Sequence, residues 1–354
     1  MDGTRVIARY IAVGACATVC ALLWTGCGGK NAIPASVSPG LGPQGNGAAA
    51  ARLTARFMVP HMRAAGCGNS VVYVTSYNNT VYVYDQRHSH KTPCGQITGL
   101  VNPQGLFVDK QRNLWVAVFG DCKAQLSSVF EFAPGGSTPI KTLQDPAGAA
   151  SDVAVDNVSG TVYVANFFNY TNGCASGNNG VVEVYAGGST TPTGTLSDPN
   201  MNYAFDDAVD QQGNVYVTFL KLNGPTGVGQ IDEWIGGAGS PNNLGITLQA
   251  PGGIQTTKTG ALLVCDQSVA CGDFEPGSTT MTHLFATQHP GSFGVALDRR
   301  EEHAWVENPA LGAHDLKQFV YPGPDKRPQK AFTVTGGGYA GVALSPPAPQ
   351  GKPY

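Results

Sequence analysis

From about residue 70 onward, apolar and polar positions alternate in short runs: LWVAV from Leu114, TVYVAN from Thr161, NVYVTF from Asn214, ALLVCD from Ala261 and HAWVEN from His303. Side chains of an extended strand point alternately to its two faces, so a period of two predicts strands, whereas a helix would repeat its apolar positions every three or four residues. Each run follows a shorter apolar strand (LFVD, VAVD, AVD, VALD) across a polar or glycine turn. Each is succeeded by a third strand (VFEFAPGG, VVEVYAGG, QIDEWIGG, KQFVYPG) and a fourth such as IKTLQ or TGTLS. Aligning the units on the residue that ends the first strand gives Asp109, Asp156, Asp210, Thr256, Asp298 and Ser345, which are 47, 54, 46, 42 and 47 residues apart. Four short strands per unit of about 40 to 50 residues is the arithmetic of a β-propeller, in which no blade buries its faces alone.

The ends of the repeat complete the count. SVVYVTSYN and TVYVYDQ are a second and a third strand with no first strand before them, and GVALS near Ser345 is a first strand with nothing after it. The pattern therefore predicts an all-β, six-bladed β-propeller of four-stranded blades over residues 67–346. The N-terminal strands pair with the C-terminal strand to close the ring and remove exposed sheet edges. Residues 347–354 are a C-terminal tail.

Composition agrees and narrows the partners. The chain of 354 residues has 47 glycines, 24 prolines and only 13% charged residues, the balance of short strands and tight turns. A net charge of -3 with no polybasic run leaves no field to hold a nucleic-acid backbone, so nucleic acid is excluded as a partner. Residues 1–26 read as a signal peptide: Arg5 and Arg9 precede an apolar run from Tyr10 to Trp24, too short and too rich in small residues for a comfortable membrane span. The run ends in LLWTGCGG, which resembles the bacterial lipoprotein signal. That resemblance implies cleavage after Gly26 and a lipid on Cys27, hence a membrane partner through the anchor, a cell-envelope location and, with Gly28 after the cysteine, an outer membrane if the cell has one. Residues 27–66, rich in Gly, Pro and Ala, are expected to be a tether that cannot bury enough surface to fold.

In the propeller region the repeats GVALD and VYVAN are similar to those of the NHL and YVTN-type propeller families across most of residues 70 to 345. The resemblance implies the ring fold. It leaves function open, because such propellers include protein-interaction platforms, sugar-lactone hydrolases similar to gluconolactonase, and lyases. The chain reads NPQG from Asn102, where the lactonases carry an acidic residue before Gly-Pro. Six cysteines remain in the exported part: Cys67, Cys94, Cys122, Cys174, Cys265 and Cys271. An even count in an exported chain predicts disulfides, and sequence does not choose among the fifteen pairings. On a propeller, Cys122 and Cys174 fall in corresponding loops of neighbouring blades, Cys67 and Cys94 share the opposite face, and Cys265 and Cys271 close CDQSVAC.

Repeated letters serve the blade, so candidate chemistry lies where the repeat breaks. Asp109, Asp156, Asp210 and Asp298 recur before a hairpin turn, where aspartate bonds local backbone N–H groups, and are expected to be structural. At the mouth of the first strand the column reads Gly105, Asp152, Asp206, Gly252, Gly294 and Gly341. Asp207 occupies a column that holds Leu106, Val153, Val295 and Val342 elsewhere. The second-strand ends read Ser76, Val118, Asn166, Phe219, Asp266 and Asn308, with Glu307 before the last. Asp152, Asn166, Asp206, Asp207, Asp266, Glu307, Asn308 and Tyr339 thus outline a binding mouth, and Asp152, Asp206 and Asn166 are the candidate set for a hard cation such as calcium. His289 is the histidine best placed to act as acid or base beside Asp152 and Asp206, while His88 and His90 read as a solvated loop. Tyr77, Phe119, Phe167, Phe168, Phe219 and Tyr339 lie at or near the same mouth and suit a protein, peptide or carbohydrate ligand. Two functions fit: an exported, lipid-anchored binding or scaffolding module, and a cation-dependent hydrolase or lyase of the gluconolactonase-like type. An enzyme needs those carboxylates converging on one ion, whereas a scaffold needs them bonded to backbone.

Overall fold

Six antiparallel sheets of four strands each are built from the alternating runs, in the order the repeat predicts. The structure, a computed structural model, describes residues 67–354 except 88–91, 121–126, 147, 170–178, 224–225, 288–290, 309–314 and 324–326, and leaves out the side chains of residues 308, 315, 332, 338 and 339. The expected signal peptide, tether and lipidated Cys27 therefore lie outside the described residues, as do Cys122, Cys174, His88, His90 and His289. The chain divides into two units, Met1–Ala55 with Leu222–Gly227, and Arg56–Lys221 with Val228–Tyr354. Of the first, only Leu222, Asn223, Thr226 and Gly227 are described, as parts of two strands. The second carries the ring.

Blade 1 is the closing blade. Its inner strand, Gly338–Ser345, pairs antiparallel with Val71–Ser76, bringing Val71 opposite Ser345 and Val74 opposite Val342, and Thr80–Asp85 and Gly95–Thr98 complete the sheet. Blades 2 to 6 begin with the inner strands Pro103–Val108, Gly148–Val155, Tyr203–Val209, Pro251–Thr256 and Val295–Leu297. Each inner strand neighbours the inner strands of the blades on either side, around to blade 1. Among the described residues two disulfides are present, Cys67–Cys94 and Cys265–Cys271. The first fixes the chain just ahead of the closing strand to the outer edge of its own blade.

The period of two explains the packing. One face of each blade meets the blade before it and the other meets the blade after, so both faces are apolar. Between blades 3 and 4, for instance, Tyr163, Ala165 and Val182 pack on Val217, Phe219 and Trp234. Between blades 6 and 1, Trp305 and Leu316 pack on Val72, Val74 and Tyr84. Each fully buried side chain of this size removes apolar surface worth about 1.5–3 kcal/mol relative to exposure, so the ring is held mainly by blade-to-blade contacts.

The aspartates before the hairpin turns are structural, as expected. Asp109 accepts N–H bonds from Asn113 and from the Trp115 indole, Asp156 from Val158 and Ser159, Asp210 from Gln212 and Asn214, and Asp298 from Arg300 and Glu302. In blade 5 the equivalent residue is Thr257, not Thr256. Thr257 closes the hairpin with Ala261 as Asp210 does with Asn214. The mouth residue four positions earlier is accordingly Gly253, not Gly252. The segment reads PGGIQTTKTG, and its doubled Gly and doubled Thr make two registers look alike, while a bulge between Pro251 and Ile254 absorbs the extra residue.

Candidate functional site

The mouth-end residues of the inner strands sit where the ring is narrowest, and geometry explains why glycine dominates there. A β-carbon on Gly105 would lie 1.7 Å from Asp152 Oδ1 and 2.6 Å from Asp152 Cα. One on Gly253 would lie 2.7 Å from the Phe293 carbonyl oxygen, one on Gly294 2.4 Å from the Ala340 carbonyl oxygen, and one on Gly341 2.2 Å from the Gln104 carbonyl oxygen. In every case the side-chain direction points at the inner strand of the next blade. Asp152 and Asp206 are the two positions at which this space holds a carboxyl group, and register shifts adjoin both.

Both carboxyls reach the neighbouring backbone. Asp152 Oδ2 accepts the Asp207 N–H at 3.2 Å, and Asp206 Oδ1 accepts the Ile254 N–H at 3.1 Å. The same offset recurs one blade on, so the carboxylates stitch blade 3 to blade 4 and blade 4 to blade 5. The Asp152 carboxyl also lies within hydrogen-bonding reach of the Asp206 and Asp207 carboxyls, contacts that form only when one partner is protonated. Asp207 is only 4% exposed. It lies near both; neither of its oxygens accepts from an N–H or hydroxyl group, and its side-chain partner is the Asp152 carboxyl. Burial raises all three carboxyls well above the usual carboxylate range; the next cause is the charge of Asp207 for Asp152, of Asp152 for Asp206, and of Asp206 for Asp207.

These three residues line a cavity of about 90 Å³ along the channel. Its wall is the inner strands of blades 2 to 6 and of the closing blade, and its floor is Pro347, Ala348, Pro349 and Gln350. No lysine, arginine or histidine is among the lining residues. Residues 347–354 cross the hairpin face as a strap. Gln350 bonds Val155, Asn157 and Gln211; Gly351 bonds Thr256 and Gln211; Lys352 bonds Thr257; and Tyr354 donates its N–H to the Tyr216 hydroxyl at 3.0 Å and its hydroxyl to the Ser278 carbonyl.

The other second-strand candidates do not line the cavity. Asn166 is buried, donating to the Val164 carbonyl with its Oδ1 unpartnered. Asp266 accepts the backbone N–H groups of Gln249, Ala250 and Ser268, an end-of-strand turn. Its pKa is raised by burial, against those three bonds. Glu307 is fully buried with both oxygens unpartnered, and burial alone raises it well above the carboxylate range. Asn308 and Tyr339 lie in strands, but their side chains are outside the described set. Among the described residues no group of three or more His, Cys, Asp or Glu side chains converges to hold a metal ion. Of the candidate trio, Asp152 and Asp206 line the cavity and Asn166 does not.

Aromatic residues form a row along the mouth. Phe119 contacts Phe167 and Phe168; Phe167 contacts Tyr203 at 4.8 Å and Phe205 at 5.1 Å between ring centroids; and Phe205 contacts Phe293 at 5.9 Å. Phe167, Tyr203 and Phe293 are half-buried, and Tyr77 is 39% exposed. Phe219, by contrast, is core between blades 3 and 4. Sequence reasoning missed Tyr203, Phe205 and Phe293. The signal for Phe205 was its place directly before Asp206 in YAFDDAV.

The fold and this channel define a six-bladed β-propeller. No protein-family model matches the chain, and no curated protein matches it. Among solved structures it is similar to a chain in the crystal structure of a nidogen/laminin complex, with a TM-score of 0.58 at 12% identity over 78% of this chain and 98% of that one. At that identity the likeness concerns the fold.

Proposed function

We propose that the protein is an exported binding or scaffolding propeller whose ligand engages the aromatic mouth, tethered to the cell envelope through lipidated Cys27. The observation that carries this reading is the use of Asp152 and Asp206 as stitches to the backbone of the next blade, which is the arrangement a rigid platform needs. The cavity supports it by size. At about 90 Å³ it has room for roughly six waters, well short of the few hundred Å³ usual for a small-molecule site. The row from Phe119 to Phe293 offers apolar and π surface for a peptide, protein or carbohydrate. The fold-level likeness to a chain of a nidogen/laminin complex is in keeping with a propeller that binds another protein. Two disulfides support passage through an oxidising compartment. The cation-dependent hydrolase or lyase reading has less support, since no set of ligands converges on one point among the described residues.

The test is a peptide and glycan array probed with the full chain and with Phe167→Ala and Tyr203→Ala variants. The reading expects at least one ligand class whose signal falls tenfold or more in both variants. A silent array, or calcium-dependent turnover of an aldonolactone followed by pH-stat, overturns it.

A further inference from the structure

We propose that the channel cavity is an ammonium-binding site, in which a primary amine head group sits among Asp152, Asp206 and Asp207 with its alkyl stem leaving past Phe205 and Phe293. This names the ligand chemistry of the mouth and rests on the binding reading above.

Four observations converge. The cavity wall carries three carboxyl groups and no basic side chain among the described residues, so no described lining residue neutralises the cluster once it ionises. Asp207 is more than nine-tenths buried, lines this cavity and has two oxygens with no N–H or hydroxyl donor, which a ligand N–H would supply. No group of three such side chains among the described residues is arranged to hold a metal ion, whereas an ammonium needs only acceptors at about 2.8–3.0 Å in separate directions. A head group about the size of one water fits a cavity of about 90 Å³. The route is aromatic as well. Phe205 and Phe293 each precede a cavity-lining residue, Asp206 and Gly294, and their rings are 5.9 Å apart. A cation that comes within about 6 Å of the face of either ring is attracted to it. Asp206 is half-buried, and the strap closes the opposite end of the cavity.

Proton balance fixes the pH dependence. Burial and the mutual repulsion of Asp152, Asp206 and Asp207 favour the protonated carboxyls, whereas an ammonium beside them favours the ionised ones, so a carboxyl proton displaced on binding passes to the buffer while the ammonium keeps its own. The other titratable neighbour is Tyr163, whose hydroxyl burial, with the charges of Asp156 and Asp207, pushes up to about 12. It stays neutral throughout. Affinity therefore rises with pH.

Isothermal titration of the full chain with n-butylammonium chloride at pH 6 and pH 8, in buffers of high and low ionisation enthalpy, reads affinity and proton release together. We expect saturable binding that tightens at least threefold from pH 6 to pH 8, with release of about one proton. It should be absent with butan-1-ol and at least tenfold weaker in Asp207→Asn and in Asp206→Asn, two near-isosteric variants that keep the fold. Asp232→Asn, a buried carboxyl outside the cavity, should bind as the parent does. A lysyl tripeptide against its norleucine analogue separates a protein lysine from a free amine as the source: tighter binding of the peptide assigns a protein lysine, and of n-butylammonium a free amine. No binding at pH 8, equal binding of butan-1-ol, or calcium binding tighter than the amine overturns the proposal. If the array ligand persists while the amine gives no heat, only the ammonium assignment falls; if both fail, the binding reading falls with it.

Discussion

Gly105→Ala tests whether the narrow mouth is set by steric contact between neighbouring inner strands. The added β-carbon would meet Asp152 twice, at 1.7 Å from a carboxyl oxygen and 2.6 Å from the α-carbon. The oxygen belongs to a side chain that can rotate, at the expense of its bond to the Asp207 N–H. The α-carbon belongs to backbone held by the strand pairing of blade 3, which has no comparable freedom. Overpacking a close-fitted core costs about 1–3 kcal/mol, and a backbone clash this close belongs at the upper end. At about 2–4 °C per kcal/mol for a large domain, about 3 kcal/mol lowers Tm by about 6–12 °C. Thermal and urea unfolding of the full chain, followed by circular dichroism, measures it. A double-mutant cycle with Asp152→Gly then divides the cost. In the Asp152→Gly background the carboxyl clash is gone and the backbone clash remains, so alanine at 105 should still cost about 1 kcal/mol or more. The reasoning is refuted if Gly105→Ala costs less than about 0.5 kcal/mol in either background, the scale of an ordinary surface change.

Asp232 is buried, its carboxyl pushed up to about 6 by burial and by Asp198, with the Asn243 amide opposing. An acid with a raised folded pKa binds protons more tightly when folded, so it favours the folded state below that pKa and loses this advantage as pH rises from about 4 through 6. Asp232→Asn should flatten the stability curve measured by urea unfolding across that window, and an unchanged slope refutes the assignment. Deleting residues 347–354 should open the channel floor and free the Tyr216 hydroxyl, which also donates to Asp210 and Glu233. We expect faster amide exchange in the Asp210 and Thr257 hairpins, and unchanged exchange there would show that the strap seals nothing. Reduction of Cys67–Cys94, whose partners are 27 residues apart, should cost about 3–4 kcal/mol on the loop-entropy account and unfold blade 1 first. A Cys67→Ser and Cys94→Ser double variant as stable as the parent would refute that.

The fold was legible because propeller blades repeat the same physics. Alternation sets the strands, spacing sets the blade count, and an unmatched strand at each end sets the closure. Blade 5 slipped by one residue because Gly252 and Gly253, like Thr256 and Thr257, are chemically indistinguishable in a linear reading, and only the bulge decides between them. The carboxylates Asp152, Asp206 and Asp207 stood out as broken repeats and do meet in the channel. Asp266 shared the mouth in sequence but is used by its own turn, and Asn166 and Glu307, also at second-strand ends, lie off the cavity wall. Tyr203, Phe205 and Phe293 were missed because packing across three blades leaves no mark on local periodicity. The strap PPAPQGKPY has no period at all, and its hydrogen bonds are made one residue at a time to partners far away in sequence.

Closing the ring with strands from opposite ends of the chain also sets an order in time. Val71–Ser76 is made early, but its partner Gly338–Ser345 is more than 260 residues away. Until that partner arrives, one edge of the first-made blade stands open, a template for pairing with another chain. The blade that begins first is finished last, and the bond from Cys67 to Cys94 can hold its remaining strands together through the interval.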